Sequence, residues 1–231
     1  MATFNVGAAV EIKSDHSPVT EADRNAESLI RKAIGQKYPT EAILGEEEGE
    51  SGTGSDRWVV DPIDGTKSFI CGVPLYGTLI SFERGGEPEL GVAYFPALDQ
   101  MVYAEKGQGA YCNGRRAQVS RRGDVSRSTF CSGGHNTMER CGRLGPFMNI
   151  AKDALATRTW GDAYGHALVA TGRVEAMVDP LIARWDISAM IVIVEEAGGR
   201  VTDFKGMRNP TDQALSSNGH LHPYLLECFK D

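Results

Sequence analysis

The segment after Thr20 carries apolar residues at the spacing of a helix. Six of them line one face: Ala22, Ala26, Leu29, Ile30, Ala33 and Ile34. This period predicts an amphipathic helix with that face in the core. Thr20 and Asp23 stand three residues apart, close to the pattern of a capping box, and mark the start of the helix. Tyr38-Pro39 predicts its end, because the residue before a proline avoids the helical conformation.

The middle of the chain alternates short apolar runs with turn residues, which predicts strands. Residues 58–60 form an apolar run that leads into Asp61, and they predict a buried strand ending there. Four further strand-like runs follow, over residues 77–82, 90–95, 101–104 and 110–112.

Helical and strand-like segments are mixed in the rest of the chain. Residues 162–171 and 187–197 are predicted to be helices, and the second is strongly apolar. Residues 174–178 and 200–204 predict strands, and residues 222–229 predict a terminal helix. Because strands and helices are interspersed, the fold class is α/β or α+β and not all-β.

Composition and charge exclude several classes of protein. The 231 residues are 41% hydrophobic and 24% charged, which is typical of a globular protein and argues against a disordered or fibrous one. No stretch approaches the roughly 18–20 apolar residues of a membrane helix, and no secretory signal is predicted. The net charge of -7 gives no bulk attraction to nucleic acids or anionic membranes. We expect neither of them as a partner.

The five cysteines are scattered along the chain, and none forms a Cys-x-x-Cys pair. This spacing argues against a structural zinc site and against a disulfide framework. Reduced thiols are the simplest interpretation, and we therefore expect a cytoplasmic location.

Three acidic elements are the candidates for chemistry. They are Glu46 within Gly45-Glu46-Glu47, the run Asp61-Pro62-Ile63-Asp64-Gly65-Thr66, and Asp186 at the start of an apolar helix. In the second element, two carboxylates, a peptide carbonyl and a hydroxyl converge within six residues. These hard oxygen ligands suit Mg²⁺ or Mn²⁺. Taken singly, each element is more typical of a turn, a helix cap or a solvated loop, but together they favour a metal site.

The order of these elements resembles the inositol monophosphatase superfamily of magnesium-dependent phosphomonoesterases. The similarity runs from about Lys13 to the C-terminus and includes Ser217-Asn218-Gly219. It implies a layered α-β-α-β-α fold, with a metal-binding α+β half over residues 1–125 and an α/β half over residues 126–231. The two halves would form one catalytic unit.

The resemblance also implies the ligands of two or three Mg²⁺ ions, for which Mn²⁺ could substitute. Glu46, Asp61 and the Ile63 carbonyl would hold the first ion. Asp61, Asp64 and Asp186 would hold the second. A third, weaker ion would bind to Glu46 through water.

Catalytic roles follow from the same resemblance. Thr66 and Asp23 would form a hydrogen-bonded pair that positions and deprotonates the attacking water, with Glu46 as a further catalytic residue. The backbone N–H groups of Gly65 and Thr66 would contact the phosphate, beside Asp64.

Two runs, over residues 66–80 and 160–165, are similar to the histidinol-phosphate phosphatase branch of the superfamily. The implied substrate, L-histidinol phosphate, carries an ammonium and an imidazole that spare carboxylates would suit. Asp162 and Asp179 are the candidates, although Asp162 could equally be a helix N-cap. Arg184 is a third candidate contact, from the same or a neighbouring subunit; the alternative is a solvated surface arginine.

Other activities remain open. Inositol-1-phosphate is the alternative substrate, followed by 3'-phosphonucleotides and fructose bisphosphate. A non-catalytic binding or regulatory protein with the same fold is the alternative from another class. The resemblance implies a homodimer. It also implies a long helix before Lys13, where this chain has only twelve residues, so we expect that helix to be shortened or missing.

Overall fold

The computed structural model describes residues 4, 10–12 and 18–230. The start of the family similarity, at residues 13–17, lies outside the described residues, as does most of the segment before Lys13. The described strands are β1 (Val10–Ile12), β2 (Pro18–Thr20), β3 (Ala42–Gly45), β4 (Gly49–Ser51), β5 (Arg57–Asp64), β6 (Gly77–Arg84), β7 (Glu87–Phe95), β8 (Gln100–Glu105), β9 (Gly109–Cys112), β10 (Arg115–Arg116), β11 (Thr129–Ser132), β12 (Ala156–Arg158), β13 (Ala176–Asp179), β14 (Arg200–Thr202) and β15 (Ala214–Ser217). The described helices are α1 (Glu21–Lys37), α2 (Thr66–Ile70), α3 (His135–Arg140), α4 (Leu144–Asp153), α5 (Asp162–Ala170), α6 (Arg184–Glu196) and α7 (His222–Cys228).

Two sheets organise the described residues, beside a small hairpin of β1 and β2. The large sheet has the strand order β10-β9-β8-β7-β6-β5-β3-β4, and the small sheet has the order β12-β11-β13-β15-β14. In the large sheet only β3 and β5 pair in parallel; its other neighbours are antiparallel.

Helices and sheets alternate in five layers. Ile34 of α1 packs against Ile43 and Val60 on the outer face of the large sheet. Helices α5 and α6 fill the space between the two sheets. Helices α4 and α7 cover the outer face of the small sheet. The expected mixed α/β class and its layered arrangement are confirmed.

The apolar character of α6 follows from its place between the sheets. All eight residues from Ile187 to Val194 are buried. A helix that is packed on every side needs apolar residues all round and not on one stripe. It begins at Arg184, three residues earlier than predicted, and its first turn therefore contains Asp186.

The start of α1 confirms the predicted capping box. Thr20 is the N-cap, and its hydroxyl accepts a hydrogen bond from the Ala22 N–H at 3.2 Å. The Asp23 carboxylate in turn accepts the Thr20 N–H at 2.7 Å. The helix ends at Lys37, directly before Tyr38-Pro39.

Strand β5 is longer than predicted, because it continues past Asp61 to Asp64. Pro62 interrupts the ladder, since it has no N–H, and the register with β6 shifts between Asp61 and Asp64. The Thr78 hydroxyl donates to the Pro62 carbonyl at 2.9 Å, and pairing resumes between Asp64 and Gly77. Strand β5 is therefore irregular between Asp61 and Asp64 but continues to Asp64.

Within the described part of the chain, none of the helices combines the length and the apolar character that a membrane crossing requires.

Candidate active site

Glu46 and Asp61 are neighbours because the strands before them are neighbours. Gly45 of β3 lies opposite Val60 of β5, and the Glu46 N–H donates to the Val60 carbonyl at 3.2 Å. Glu46 therefore follows the carboxyl end of β3, and Asp61 follows the part of β5 that pairs with β3 in parallel. The carboxyl ends of parallel strands are where open sheets commonly bind their ligands.

Three carboxylates from two distant parts of the chain, β5 and the start of α6, meet at this edge. Asp61, Asp64 and Asp186 each offer an oxygen, and these oxygens all lie within 4.8 Å of one another. Asp186 Oδ2 accepts the Ala183 N–H at 2.7 Å, which fixes it at the start of α6. Asp64 Oδ2 accepts the Ala163 N–H of α5 at 2.8 Å. Helices of the second half of the chain thus complete a cluster that begins on the large sheet.

The cluster lines an open pocket of about 150 Å³. Nine residues form its wall: Glu46, Asp61, Ile63, Asp64, Gly65, Thr66, Lys67, Asp162 and Asp186. The metal-ligand residues implied by the resemblance all belong to this set.

Gly65 makes the sharp turn from β5 into α2. Its φ of 77° and ψ of 40° lie in the left-handed region, where a side chain is strained. A Cβ at this position would also lie 3.1 Å from the Leu75 carbonyl oxygen and 3.2 Å from Asp162 Oδ2. Glycine is therefore needed at this position, and the turn places Thr66 at the start of α2.

Burial and mutual repulsion raise the pKa values of the clustered carboxyls. Burial is the largest cause for Asp61, followed by the charges of Asp64 and Glu46, and its pKa is well above the ordinary value. Burial also raises the pKa of Asp64 well above its ordinary value, with further contributions from nearby carboxylates. Burial raises the pKa of Asp186 to about 7, although the Ala183 N–H opposes the shift.

The cluster fits a divalent cation. Asp61 Oδ1 is buried and has no hydrogen-bond partner among the described residues. An acceptor in that state is costly unless a donor or a cation satisfies it. The candidate ligand atoms on side chains are carboxylate and hydroxyl oxygens, which suit Mg²⁺ or Mn²⁺ better than softer metals.

Thr66 and Asp23 are not hydrogen-bonded to each other among the described contacts. The Thr66 hydroxyl donates to the Ile63 carbonyl at 3.1 Å. Asp23 is fully buried; its Oδ2 accepts the Thr20 N–H and hydroxyl, while its Oδ1 has no hydrogen-bond partner in the described structure. The catalytic pairing of these two residues stays a prediction.

A larger groove of about 870 Å³ adjoins the acidic pocket, and the two share Lys67 and Asp162. Asp162 and Asp179 both line the groove, so the structure brings together the two carboxylates predicted for substrate. Partial desolvation and the charge of Asp179 raise the pKa of Asp162 to about 6, against the opposing charge of Lys67.

The N-cap interpretation of Asp162 is wrong. Gly161 holds the N-cap position of α5 and Asp162 is the first helical residue, with no side-chain capping bond at this helix. Asp162 also has a φ of 56°, a left-handed conformation that non-glycine residues adopt at a cost. Backbone strain of this kind is concentrated at functional sites.

The sequence patterns did not assign several residues of the groove, among them Lys67, Arg140 and Trp160. Lys67 and Trp160 line it, and Trp160 is 40% exposed. His166 is buried behind it, with Nδ1 2.7 Å from Ser216 Oγ and Nε2 3.9 Å from Asp179 Oδ2. The one sequence signal for His166 was its position four residues after Asp162, on the same face of α5.

Arg184 does not line the pocket or the groove. Its side chain is only 10% exposed, and its Nε lies 2.5 Å from Oε1 of the fully buried Glu83. Its Nη1 donates to Asn209 Oδ1 at 2.6 Å. The alternative of a solvated surface arginine is therefore wrong, because Arg184 ties the start of α6 to the large sheet.

Replacing Arg184 with Met should lower the free energy of unfolding by about 3 kcal/mol, because a buried carboxylate loses a partner. The KM for substrate should change less than about twofold. Urea unfolding and steady-state kinetics would measure both quantities. Arg208→Met is the matched control, since Arg208 pairs with Glu195 at 2.8 Å but is 77% exposed; it should cost no more than about 1 kcal/mol. A large rise in KM with unchanged stability would instead return Arg184 to substrate binding.

Comparisons with known proteins agree with this geometry. The model of the inositol monophosphatase family matches residues 3–229. A histidinol-phosphatase of Chlorobaculum parvum is 47% identical over 201 residues, which cover 87% of this chain and 78% of that protein. A fructose-1,6-bisphosphatase/inositol-1-monophosphatase of Thermotoga maritima is 37% identical over 217 residues, covering 92% of this chain and 82% of that protein.

Solved structures of the family have the same fold. An IMPase of Thermotoga maritima superposes with a TM-score of 0.91 at 34% identity. The superposition covers 99% of this chain and 90% of that one.

Proposed function

The chain belongs to the inositol monophosphatase family of phosphoric monoester hydrolases, and we propose that it hydrolyses L-histidinol phosphate to L-histidinol and phosphate with the help of Mg²⁺. The observation that carries the choice of substrate is the pair of groove carboxylates, Asp162 and Asp179, directly beside the acidic pocket. The 47% identity to a histidinol-phosphatase supports it.

We assign the cation ligands as the resemblance implies. Glu46, Asp61 and the Ile63 carbonyl would hold one ion, Asp61, Asp64 and Asp186 a second, and Glu46 a third through water. The mutual approach of Asp61, Asp64 and Asp186 supports the second assignment. Bound ions would neutralise the phosphate dianion, lower the pKa of the attacking water and stabilise the leaving oxygen.

The protein's own groups would orient the substrate and move the proton. The N–H groups of Gly65 and Thr66 lie at the turn that opens α2 and would donate to phosphate oxygens, beside Asp64. The Thr66 hydroxyl would orient the attacking water, and Asp23 Oδ1 would receive its proton through Thr66. The support for Asp23 is that this buried oxygen lacks another hydrogen-bond partner in the described residues. Glu46, which also lines the pocket, would act as a further catalytic residue.

The groove would recognise the cationic end of the substrate. Asp162 and Asp179 supply negative charge, which favours an ammonium or an imidazolium over the neutral hydroxyls of inositol. Trp160 also lines the groove and is 40% exposed. The Arg158 guanidinium lies over its ring, 5.8 Å from the ring centroid, so an imidazole would stack on the opposite face of the ring. Both carboxylates come from the second half of the chain, so the halves 1–125 and 126–231 would act as one catalytic unit.

Inositol-1-phosphate is the second candidate substrate, because a relative at 37% identity carries both fructose-1,6-bisphosphatase and inositol-1-monophosphatase in its name. A 3'-phosphonucleotide ranks below it, since Lys67 and Arg140 balance the charges of Asp162 and Asp179 in the groove and no observation there singles out a second phosphate. The proposal includes a homodimer, which the family resemblance supports, and a cytoplasmic location, which the free cysteines support.

Phosphate release from a panel of esters tests the substrate. We expect L-histidinol phosphate to be preferred at least tenfold in kcat/KM over inositol-1-phosphate, fructose-1,6-bisphosphate and 3'-phosphoadenosine-5'-phosphate. All release should stop with excess EDTA and return with Mg²⁺. Preference for another ester would overturn the substrate but keep the phosphatase. Release that persists in EDTA would overturn the metal assignment.

A further inference from the structure

We propose that Glu27 is a positioning residue, whose buried carboxylate fixes the loop that carries Glu46 and thereby sets the affinity of the acidic pocket for its divalent cation. The inference rests on the proposed metal site, but Glu27 itself is not among the residues that line the pocket.

The contacts of Glu27 fall on the two residues that follow Glu46. Glu27 is fully buried on the inner face of α1. Its Oε2 accepts the Glu47 N–H at 2.7 Å, and its Oε1 accepts the Glu48 N–H at 3.0 Å. The Glu46 N–H donates to the Val60 carbonyl at 3.2 Å. The main chain is therefore held on both sides of Glu46, by β5 before it and by Glu27 after it.

Arg31 keeps the Glu27 carboxylate in place. Its Nε donates to Glu27 Oε1 at 2.8 Å, one helical turn further along α1. Its Nη1 donates to Ser51 Oγ at 3.0 Å, and its Nη2 donates to the Gly49 carbonyl. The same guanidinium thus holds both the Glu27 carboxylate and strand β4, which follows the loop that carries Glu46.

Gly45 leaves the room that this arrangement needs. A Cβ on Gly45 would lie 2.1 Å from Glu27 Oε1, closer than any real contact. The carboxylate therefore fills the space directly over the end of β3.

Glu27 has the chemistry of a support and not of a ligand. Its two oxygens already accept two backbone N–H groups and one guanidinium N–H. Groups that orient metal ligands through hydrogen bonds commonly change cation affinity about 10- to 100-fold when they are replaced. Releasing the loop should let Glu46 move away from Asp61, which weakens the cation site before it affects substrate.

The test is cation affinity without turnover. Mn²⁺ binding to the substrate-free protein, followed by electron paramagnetic resonance, should be about 10- to 100-fold weaker in Glu27→Gln. The kcat at saturating Mg²⁺ and the KM for substrate should stay within about threefold of wild type. If Glu27 were only structural, its replacement would lower the stability of the protein. It would not weaken Mn²⁺ binding while leaving kcat nearly unchanged.

Glu175→Gln is the matched control. Glu175 is also fully buried, and it accepts the Arg122 guanidinium at 3.0 Å and the Thr129 N–H at 2.7 Å, but it does not line the acidic pocket. We expect it to lose stability and keep its Mn²⁺ affinity. Equal weakening in both Gln variants, or wild-type affinity in folded Glu27→Gln, overturns the inference.

A milder variant covers the case in which Glu27→Gln does not fold. Arg31→Lys keeps the charge beside Glu27 but loses the fork that reaches Gly49 and Ser51, and it should weaken Mn²⁺ binding several-fold. Unchanged affinity in that variant would overturn the inference. A wild-type protein that binds no Mn²⁺ would overturn the proposed metal site itself, which is a different result.

Discussion

Replacing Asp61 with Asn is expected to lower kcat about a thousandfold and to leave the protein folded. Asp61 is the one residue assigned to both the first and the second cation, so its loss removes charge stabilisation worth several kcal/mol in the transition state. Phosphate release at saturating Mg²⁺ and substrate would measure the change. Turnover within about tenfold of wild type would overturn the assignment of Asp61.

The stability of the same variant separates a metal role from a structural one. Burial and three neighbouring carboxylates raise the pKa of Asp61, so its ionised form is unfavourable in the metal-free fold. In EDTA, Asp61→Asn should therefore unfold at an equal or higher urea concentration than wild type. Asp203→Asn is a control for the substitution itself, because Asp203 accepts the N–H groups of Lys205 and Met207 in a turn that does not line the pocket.

The metal-free protein is expected to lose about 2–3 kcal/mol of stability between pH 5 and pH 8 through Asp186. The folded-state pKa of Asp186 is about 7, against an ordinary value of 3.8. A raised pKa means that the folded state binds the proton more tightly. The stabilisation by Asp186 is therefore complete below about pH 4, declines as the pH rises towards 7, and is absent above about pH 7. Asp162 lies in the open groove, where solvent weakens its effect, so the prediction rests on Asp186.

Urea unfolding in EDTA at pH 5, 6.5 and 8 would measure this decline. Saturating Mg²⁺ should remove or reverse it, because a cation binds the ionised carboxylates and competes with protons. Asp186→Asn should reduce this decline in EDTA, and the raised pKa values of Asp61 and Asp64 account for the part that remains. An equal decline in that variant would show that other groups are responsible.

Local patterns predicted the parts of the fold that local forces determine. The capping box of α1 is built by Thr20 and Asp23, three residues apart, and both of its hydrogen bonds are present. The apolar run of α6 predicted a helix, since its residues are buried whichever way they point. Helices α3 and α4 were not predicted, although Leu144, Phe147 and Met148 of α4 follow helical spacing. Met138, Phe147 and Ile150 are buried there only because the small sheet lies against them.

In the candidate site, too, local sequence predicted some features, whereas others depend on tertiary packing. The acidic elements were visible because their ligand-type residues are adjacent in the chain. The partners of Arg184 were not, because Glu83 lies 101 residues away in sequence and only the packing of α6 on the large sheet brings them together. Asp23 illustrates a mixed case. Its spacing from Thr20 predicted the cap, but the same carboxylate could serve both the cap and catalysis, and local sequence does not separate these roles.

The position of α6 between the two sheets makes each half of the chain dependent on the other. A fragment ending near residue 125 would leave one face of the large sheet, including Leu79, Ala93 and Phe95, without its cover. It would also lack Asp186. A chimera that exchanges halves between relatives would fold only where α6 and the strands that face it come from the same parent. The interface between the halves, and not either half, must therefore be kept intact.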